Sequence, residues 1–176
     1  MNKRSFYIIA AMDEGRGLGQ GGELAWVLPA DLKHFKKITT TVKDPSLKNA
    51  LIMGRKTWES LPEKYRPLPG RINIVLTQKN NLKVPVGVQV FDELDACLRS
   101  LSNETLIDDV FVIGGAKLYD RAIFHPSCKG LFLTHLKGFF PCDVFFPSIP
   151  SDFKIVKTSS EEQENGISYS FNEYLR

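Results

Sequence analysis

The sequence predicts an α/β fold, and three of its features do so. Apolar runs of strand length recur and stop at glycine or turn residues: Ser5 to Met12, Asn49 to Met53 and Asp109 to Ile113. Two of them open straight into helical segments through glycine, at Gly54 and at Gly114-Gly115, as strands of an open α/β sheet hand over to helices. The last two runs, Phe153 to Ser159 and Ile167 to Leu175, alternate instead, the pattern of a closing antiparallel pair.

At 176 residues the chain is most simply one domain, long enough to bury roughly 70% of its unfolded surface. A net charge of +3 is too mild to argue for nucleic acid, although it leaves room for a local positive site for a phosphorylated ligand. Cys97, Cys128 and Cys142 form no CxxC pair and leave one over. They argue against a disulfide framework or a zinc site, and for reduced thiols in a cytoplasmic compartment. Met1 to Arg4 followed by Phe6 to Met12 imitates a short signal peptide. Asp13-Glu14-Gly15 follows at once, however, and a buried first strand is the better reading. No run approaches transmembrane length, so no membrane partner is expected.

After the first strand, glycine takes five of the eight positions from Gly15 to Gly22. Glycine loses the most entropy on ordering, so neither helix nor strand is expected there. The segment is a flexible connector or a lid over a ligand, and its exit through Leu24-Ala25-Trp26 favours the lid.

Pro29 suits the first turn of a helix. Leu28, Leu32, Phe35 and Ile38 then recur at helical spacing, with Lys33, Lys36 and Lys37 outside the stripe. Asp31 falls between Phe35 and Ile38, facing inward. Its carboxylate either complements the helix dipole or, in an apolar pocket, binds a cationic or amidine-like donor pair. Burial of an unpaired carboxylate is costly enough to require a partner.

Thr39 to Thr41 and Asp44-Pro45 end that helix. Strand Asn49 to Met53 stops at Gly54, and Arg55 to Leu61 reads as a short helix. Strand end, glycine, basic pair and helix start together suit an anion. Pro62 to Gly70 is a loop, and Arg71 opens the next strand, through Thr77. Arg71 clamps a carboxylate or simply faces solvent. Gly87 to Phe91 is a short strand, and Asp92 the expected N-cap of a helix through Leu101. After Gly114-Gly115, Ala116 to Ile123 continues as a helix, and the adjacent glycines let a pyrophosphate approach main-chain N–H groups. Lys129 to Leu136 is a strand, Phe139 to Pro147 an apolar loop with one acid, Asp143, and Glu161 to Gly166 a polar hairpin loop.

The chain has no G-x-S-x-G, H-E-x-x-H, Walker A or G-x-G-x-x-G motif, which removes the main signals for serine hydrolases, zincins, P-loop enzymes and Rossmann folds. His34, His125 and His135 are scattered and read as structural. No metal is expected. The chemistry then rests on one inward carboxylate and a bound cofactor, which suggests hydride transfer.

In that order the motifs resemble dihydrofolate reductase over essentially the whole chain, from Ile8-Ile9-Ala10-Ala11 to Tyr169-Ser170-Phe171. The most specific are Gly19 through Trp26, Leu28-Pro29-Ala30-Asp31-Leu32 with Phe35, and Met53 through Trp58. Arg66 through Arg71, Ile113-Gly114-Gly115 with Tyr119, and Leu133-Thr134 complete the set. The resemblance implies a single domain spanning 1–176, with a twisted, mostly parallel eight-stranded sheet, helices on both faces and antiparallel C-terminal strands. It implies reduction of dihydrofolate by NADPH in support of one-carbon metabolism and thymidylate synthesis, antifolate inhibitors as further ligands, and a monomer.

By the same resemblance Asp31, Leu24, Trp26, Thr134 and Tyr119 stand at the reacting centre. Asp31 binds the 2-amino group and neighbouring ring nitrogen of the pterin, and Thr134 supports it. Ile9, Leu24, Leu32, Phe35, Leu61, Arg66, Leu68 and Ile113 line the substrate pocket, with Arg71 on the α-carboxylate of the glutamate tail. Ala11, Leu18, Gly19, Ile113 and Tyr119 surround the nicotinamide. Gly54, Thr57, Gly114, Gly115, Ala116, Lys117 and Leu118 take the pyrophosphate region. Arg55 and Lys56 face the 2′-phosphate, with Leu76, Thr77 and Gln78 beside it. Asp143 lies on the loop that bonds to the lid. Ala25 and Gln78 depart from the family, which usually has proline before the tryptophan and in some members arginine or serine after Thr77. A related pterin or riboflavin-precursor reductase would lack the Arg71 clamp, and a non-catalytic NADP- or folate-binding protein would not need an inward acid.

Overall fold

An unbroken apolar strand is stable where both faces of its sheet are covered, and the alternation of its side chains decides which residue serves which face. Strand β1 (Phe6–Met12) does this. Phe6 and Ile8 join one apolar cluster, and Ile9 joins another on the opposite face. The computed structural model describes residues 3–176; Met1 and Asn2, the start of the segment weighed above as a signal peptide, lie outside them.

Beside β1 run β7 (Ile107–Val112) and β8 (Cys128–Leu136), both parallel to it. Beyond β7 the sheet continues in parallel through β4 (Lys48–Gly54), β5 (Ile72–Leu76) and β6 (Gln89–Phe91). Beyond β8 it turns antiparallel, through β12 (Ile167–Leu175) and then β10 (Lys154–Thr158). The strand order is β10-β12-β8-β1-β7-β4-β5-β6, the mostly parallel eight-stranded sheet with antiparallel C-terminal strands that the resemblance implies.

Helices α3 (Leu94–Leu101) and α4 (Ala116–Ala122) pack on the face of Ile8, Ile52, Ile74 and Val112. Helices α1 (Pro29–Thr40) and α2 (Arg55–Ser60) bring Phe35, Ile38 and Trp58 to the face of Ile9, Leu51, Met53, Val75 and Phe111. Three expectations about helices change. Glu93, not Asp92, is the N-cap of α3, and no side chain caps it. The loop after α2 holds a one-turn 3-10 helix, Glu63–Tyr65. Leu32 leaves the inward stripe of α1 and is 59% exposed, because α1 meets the sheet cluster through Phe35 and Ile38 and buries only Thr39 fully.

Two segments expected to be irregular are paired strands. Within the glycine-rich segment β2 (Gly17–Gln20) forms a hairpin with β3 (Glu23–Leu24), and β9 (Val144–Phe145) pairs on its other side, making a second, three-stranded sheet. The glycines serve close approach. A Cβ on Gly19 would collide with the Glu23 carbonyl oxygen, and one on Gly17 would sit 2.6 Å from Cys142 Sγ. Glu161 to Gly166 is likewise no simple loop. β11 (Glu162–Glu164) pairs with the start of β12 through a two-residue turn, Asn165-Gly166, both at positive φ as such hairpins require. No helix among the described residues is long and apolar enough to cross a membrane.

Candidate active site

Helix α1 carries Asp31 in its first turn to the end of β8, where Thr134 donates its hydroxyl to Asp31 Oδ1 at 2.6 Å. Burial raises the Asp31 carboxyl above the usual carboxylate range, and the Thr134 bond offsets part of that rise. The bond satisfies one oxygen and leaves acceptor capacity for a flat donor pair. Trp26, in the segment leading from β3 to α1, is buried, and its Nε1 is the one buried side-chain polar atom without a partner among the described residues. A buried N–H of that kind is ordinarily met by a water or a ligand.

Ile9, Phe35, Leu61, Leu68 and Ile113 gather in one apolar cluster beside this pair, whereas Leu24 and Leu32 stand exposed at its rim. Arg71, just before β5, is itself buried. It donates from Nε to Pro69 O and from Nη1 to Thr39 Oγ1, with Phe35 under its guanidinium at 6.0 Å. Nη2 has no protein partner among the described residues, so that nitrogen remains for an anionic ligand. Arg66 packs on α2. Its guanidinium lies 5.2 Å over the Trp58 ring and its Nη1 reaches Trp58 O at 3.3 Å, so it holds the loop to α2.

The glycine ends of β4 and β7 meet: Gly54 donates to Gly114 O at 2.8 Å. A Cβ on Gly114 would stand 3.3 Å from the Tyr119 hydroxyl and 3.5 Å from Thr57 Oγ1, and one on Gly115 would stand 3.3 Å from Thr57 Oγ1. A side chain at either position would crowd Tyr119 and Thr57, so bare glycine backbone leaves the most room here for a pyrophosphate. Tyr119 donates to Ile9 O at 2.9 Å, and burial, then the Asp31 charge, pushes its hydroxyl pKa far up. Its hydroxyl proton is committed to the Ile9 carbonyl. Leu118 turns into the core, while Lys117 and Gln78 face solvent. Ala116, Ala11, Leu76 and Thr77 are half-buried, and Thr77 Oγ1 is taken by the Lys79 N–H. Lys56 is exposed beside Arg55, which pairs with Glu59.

The glycine-rich segment is tied to the Phe139 to Pro147 loop at several points. Gly21 N–H donates to Asp143 Oδ2 at 3.0 Å, and Asp143 N–H to Gly19 O at 2.9 Å. Asp13 is buried and accepts from the N–H groups of Gly15, Gly17 and Phe140 at 2.9, 2.7 and 2.8 Å. Sequence reasoning took Asp13 only as a turn former; the glycines two and four residues on were the available signal. It also missed Glu164, whose Oε2 accepts the Ala30 N–H of α1 at 2.8 Å. That partner lies 134 residues away, beyond any local signal. Each histidine has a protein partner. His34 stacks on Phe171 at 3.7 Å, His125 bonds Asp95 at 2.8 Å and His135 bonds Tyr174 at 3.1 Å.

A family model described as dihydrofolate reductase matches residues 5–176. The chain is similar to a dihydrofolate reductase of Heliothis virescens, 40% identical over 184 residues and covering 100% of each protein. It is similar to that of Drosophila melanogaster, 36% identical over 172 residues and 94% of each. It also resembles a bifunctional dihydrofolate reductase-thymidylate synthase of Glycine max, 39% identical over 99% of this chain and 34% of that protein. The chain thus spans about a third of the length of its bifunctional relatives.

Proposed function

The chain belongs to the dihydrofolate reductase family, and on that premise we propose that it reduces 7,8-dihydrofolate to 5,6,7,8-tetrahydrofolate with NADPH, in support of one-carbon metabolism and thymidylate synthesis. The observation that carries this reading is the half-buried Asp31 carboxylate, held by Thr134 at 2.6 Å and opening beside the glycine cradle.

Bound NADPH supplies the hydride that is accepted at position 6 of the pterin. Asp31 takes the 2-amino group and the adjoining ring nitrogen as a donor pair, a charge-assisted arrangement that fixes the ring plane and polarises it. Trp26 Nε1 holds a water at the same end of the pocket, and protonation at N5 passes through water. Ile9, Phe35, Leu61, Leu68 and Ile113 enclose the ring and the benzoyl group, and Arg71 Nη2 meets the glutamate carboxylate. On the other side Gly54, Thr57, Gly114 and Gly115 hold the pyrophosphate, Tyr119 walls the nicotinamide, and Arg55 with Lys56 meets the 2′-phosphate. The hairpin from Gly17 to Leu24, braced by Asp13 and Asp143, keeps bulk water off the reacting face. Antifolates that present the same donor pair compete for Asp31. The three cysteines, none in a disulfide, suit a reducing, cytoplasmic compartment, and the family resemblance suits a monomer.

Mixing the protein with NADPH and dihydrofolate tests the reaction directly. The expected result is steady loss of the near-ultraviolet absorbance of reduced nicotinamide. Tight binding of both ligands without that loss would leave a non-catalytic binding protein.

A further inference from the structure

One carboxylate on the cofactor side has no part in the reaction above. Glu59 lies one helical turn after Arg55 on α2, and its two oxygens reach Arg55 Nη1 at 2.7 and 2.6 Å. The neighbouring Lys56 is exposed and makes no ion pair among the described residues. The two basic side chains are therefore unequal: one cation is already partly neutralised, the other is open to solvent.

We propose that Glu59 tunes cofactor selectivity by competing with the 2′-phosphate of NADPH for Arg55. The proposal rests on the reading that Arg55 and Lys56 meet that phosphate. An arriving phosphate either displaces the carboxylate, forfeiting charge-assisted hydrogen bonds, or settles beside it, with like charges a few ångströms apart. NADH carries a neutral hydroxyl at that position and encounters neither penalty. Glu59 thus lowers the affinity for NADPH while leaving that for NADH alone, and so narrows the preference between them. The pair joins two long, partly exposed side chains, so it yields to a ligand without disturbing the fold.

Calorimetric titration of NADPH and of NADH, at low ionic strength, into the wild type, Glu59→Gln, Arg55→Ala and the double variant tests this. Glu59→Gln is expected to bind NADPH about three- to fivefold more tightly, an effect of the size exposed ion pairs reach, with NADH unchanged. Without Arg55 the same substitution should lose most of its effect. Weaker NADPH binding by Glu59→Gln would overturn the proposal and make Glu59 an orienting support for Arg55. Equal tightening of both nucleotides, no change in either, or a gain that survives removal of Arg55 would overturn it too. Arg55→Ala with Lys56→Ala separates the two levels, since it should weaken NADPH much more than NADH. Equal losses there would remove the 2′-phosphate assignment itself; a selective loss beside an inert Glu59→Gln would remove only the tuning.

Discussion

Asp31 carries a conflict between stability and function. Burial raises its pKa in the folded protein, so the native state holds the proton more firmly than the unfolded chain does. Its contribution to stability is complete below the ordinary carboxylate value and is lost as pH rises through the raised one. Asp31→Asn keeps an acceptor for Thr134 without that loss. Its urea midpoint, compared with wild type, should therefore improve progressively as pH rises above about 4, while turnover at neutral pH falls by more than about tenfold. Thr134→Ala acts in the opposite sense. It removes the bond that holds the Asp31 pKa down, so the acid limb of the kcat/KM profile should move to higher pH, and kcat/KM should drop about tenfold, the worth of a hydrogen bond to a charged group. Thr134→Ser should restore the profile. Asp31 was legible in the sequence because an acid on an apolar stripe is an anomaly that helical spacing alone exposes. Thr134 became visible only through family resemblance, and the partnerless Trp26 Nε1 only through packing.

At the level of elements, α1 begins without a capping side chain of its own. Leu28 occupies the N-cap and makes no side-chain cap bond, while Glu164 satisfies the Ala30 N–H from the β11–β12 hairpin, where Asn165 Nδ2 also reaches Val27 O at 3.3 Å. The last turn before Asp31 is thus set by the C-terminal part of the chain. Glu164→Ala should cost about 1 kcal/mol in denaturant unfolding, as the loss of a cap does, and Glu164→Gln, which keeps an acceptor, much less. The glycine-rich hairpin makes a sharper case. Gly19→Ala should lose its β2–β3 pairing, read as faster hydrogen exchange at Gly19 and Leu24, because the new Cβ collides with the Glu23 carbonyl. Here composition misled: dense glycine argues for disorder when entropy alone is counted, whereas these glycines allow backbones to touch. The Asn165-Gly166 turn, in contrast, is written in the sequence as a two-residue hairpin signal; the expected hairpin loop from Glu161 to Gly166 was right in kind but too long, because Glu162 to Glu164 pair as a strand.

Across the whole molecule, local pattern identified most strands and all four helices, but not their lateral order. Order depends on which strands meet across long stretches of chain, and no local spacing encodes that; the family resemblance implied a mostly parallel sheet with antiparallel C-terminal strands, and the strand order itself emerges only from the structure. β8 takes β12 along nearly its full length, and β12 in turn receives β10 and β11. Ending the chain at Ser160 would expose the edge of β8, remove Tyr169, Phe171 and Tyr174 from their apolar neighbours, and leave α1 without Glu164. That truncation should fail to give a cooperative thermal transition by circular dichroism.

The two tryptophans occupy contrasting places: Trp58 is sealed on the buried face of α2, while Trp26, ahead of α1, keeps a buried indole N–H with no hydrogen-bond partner among the described residues. Indole emission responds to what touches that nitrogen. The molecule therefore carries its own optical gauge of occupancy, one fluorophore reporting the arrival of a guest and the other serving as an internal standard.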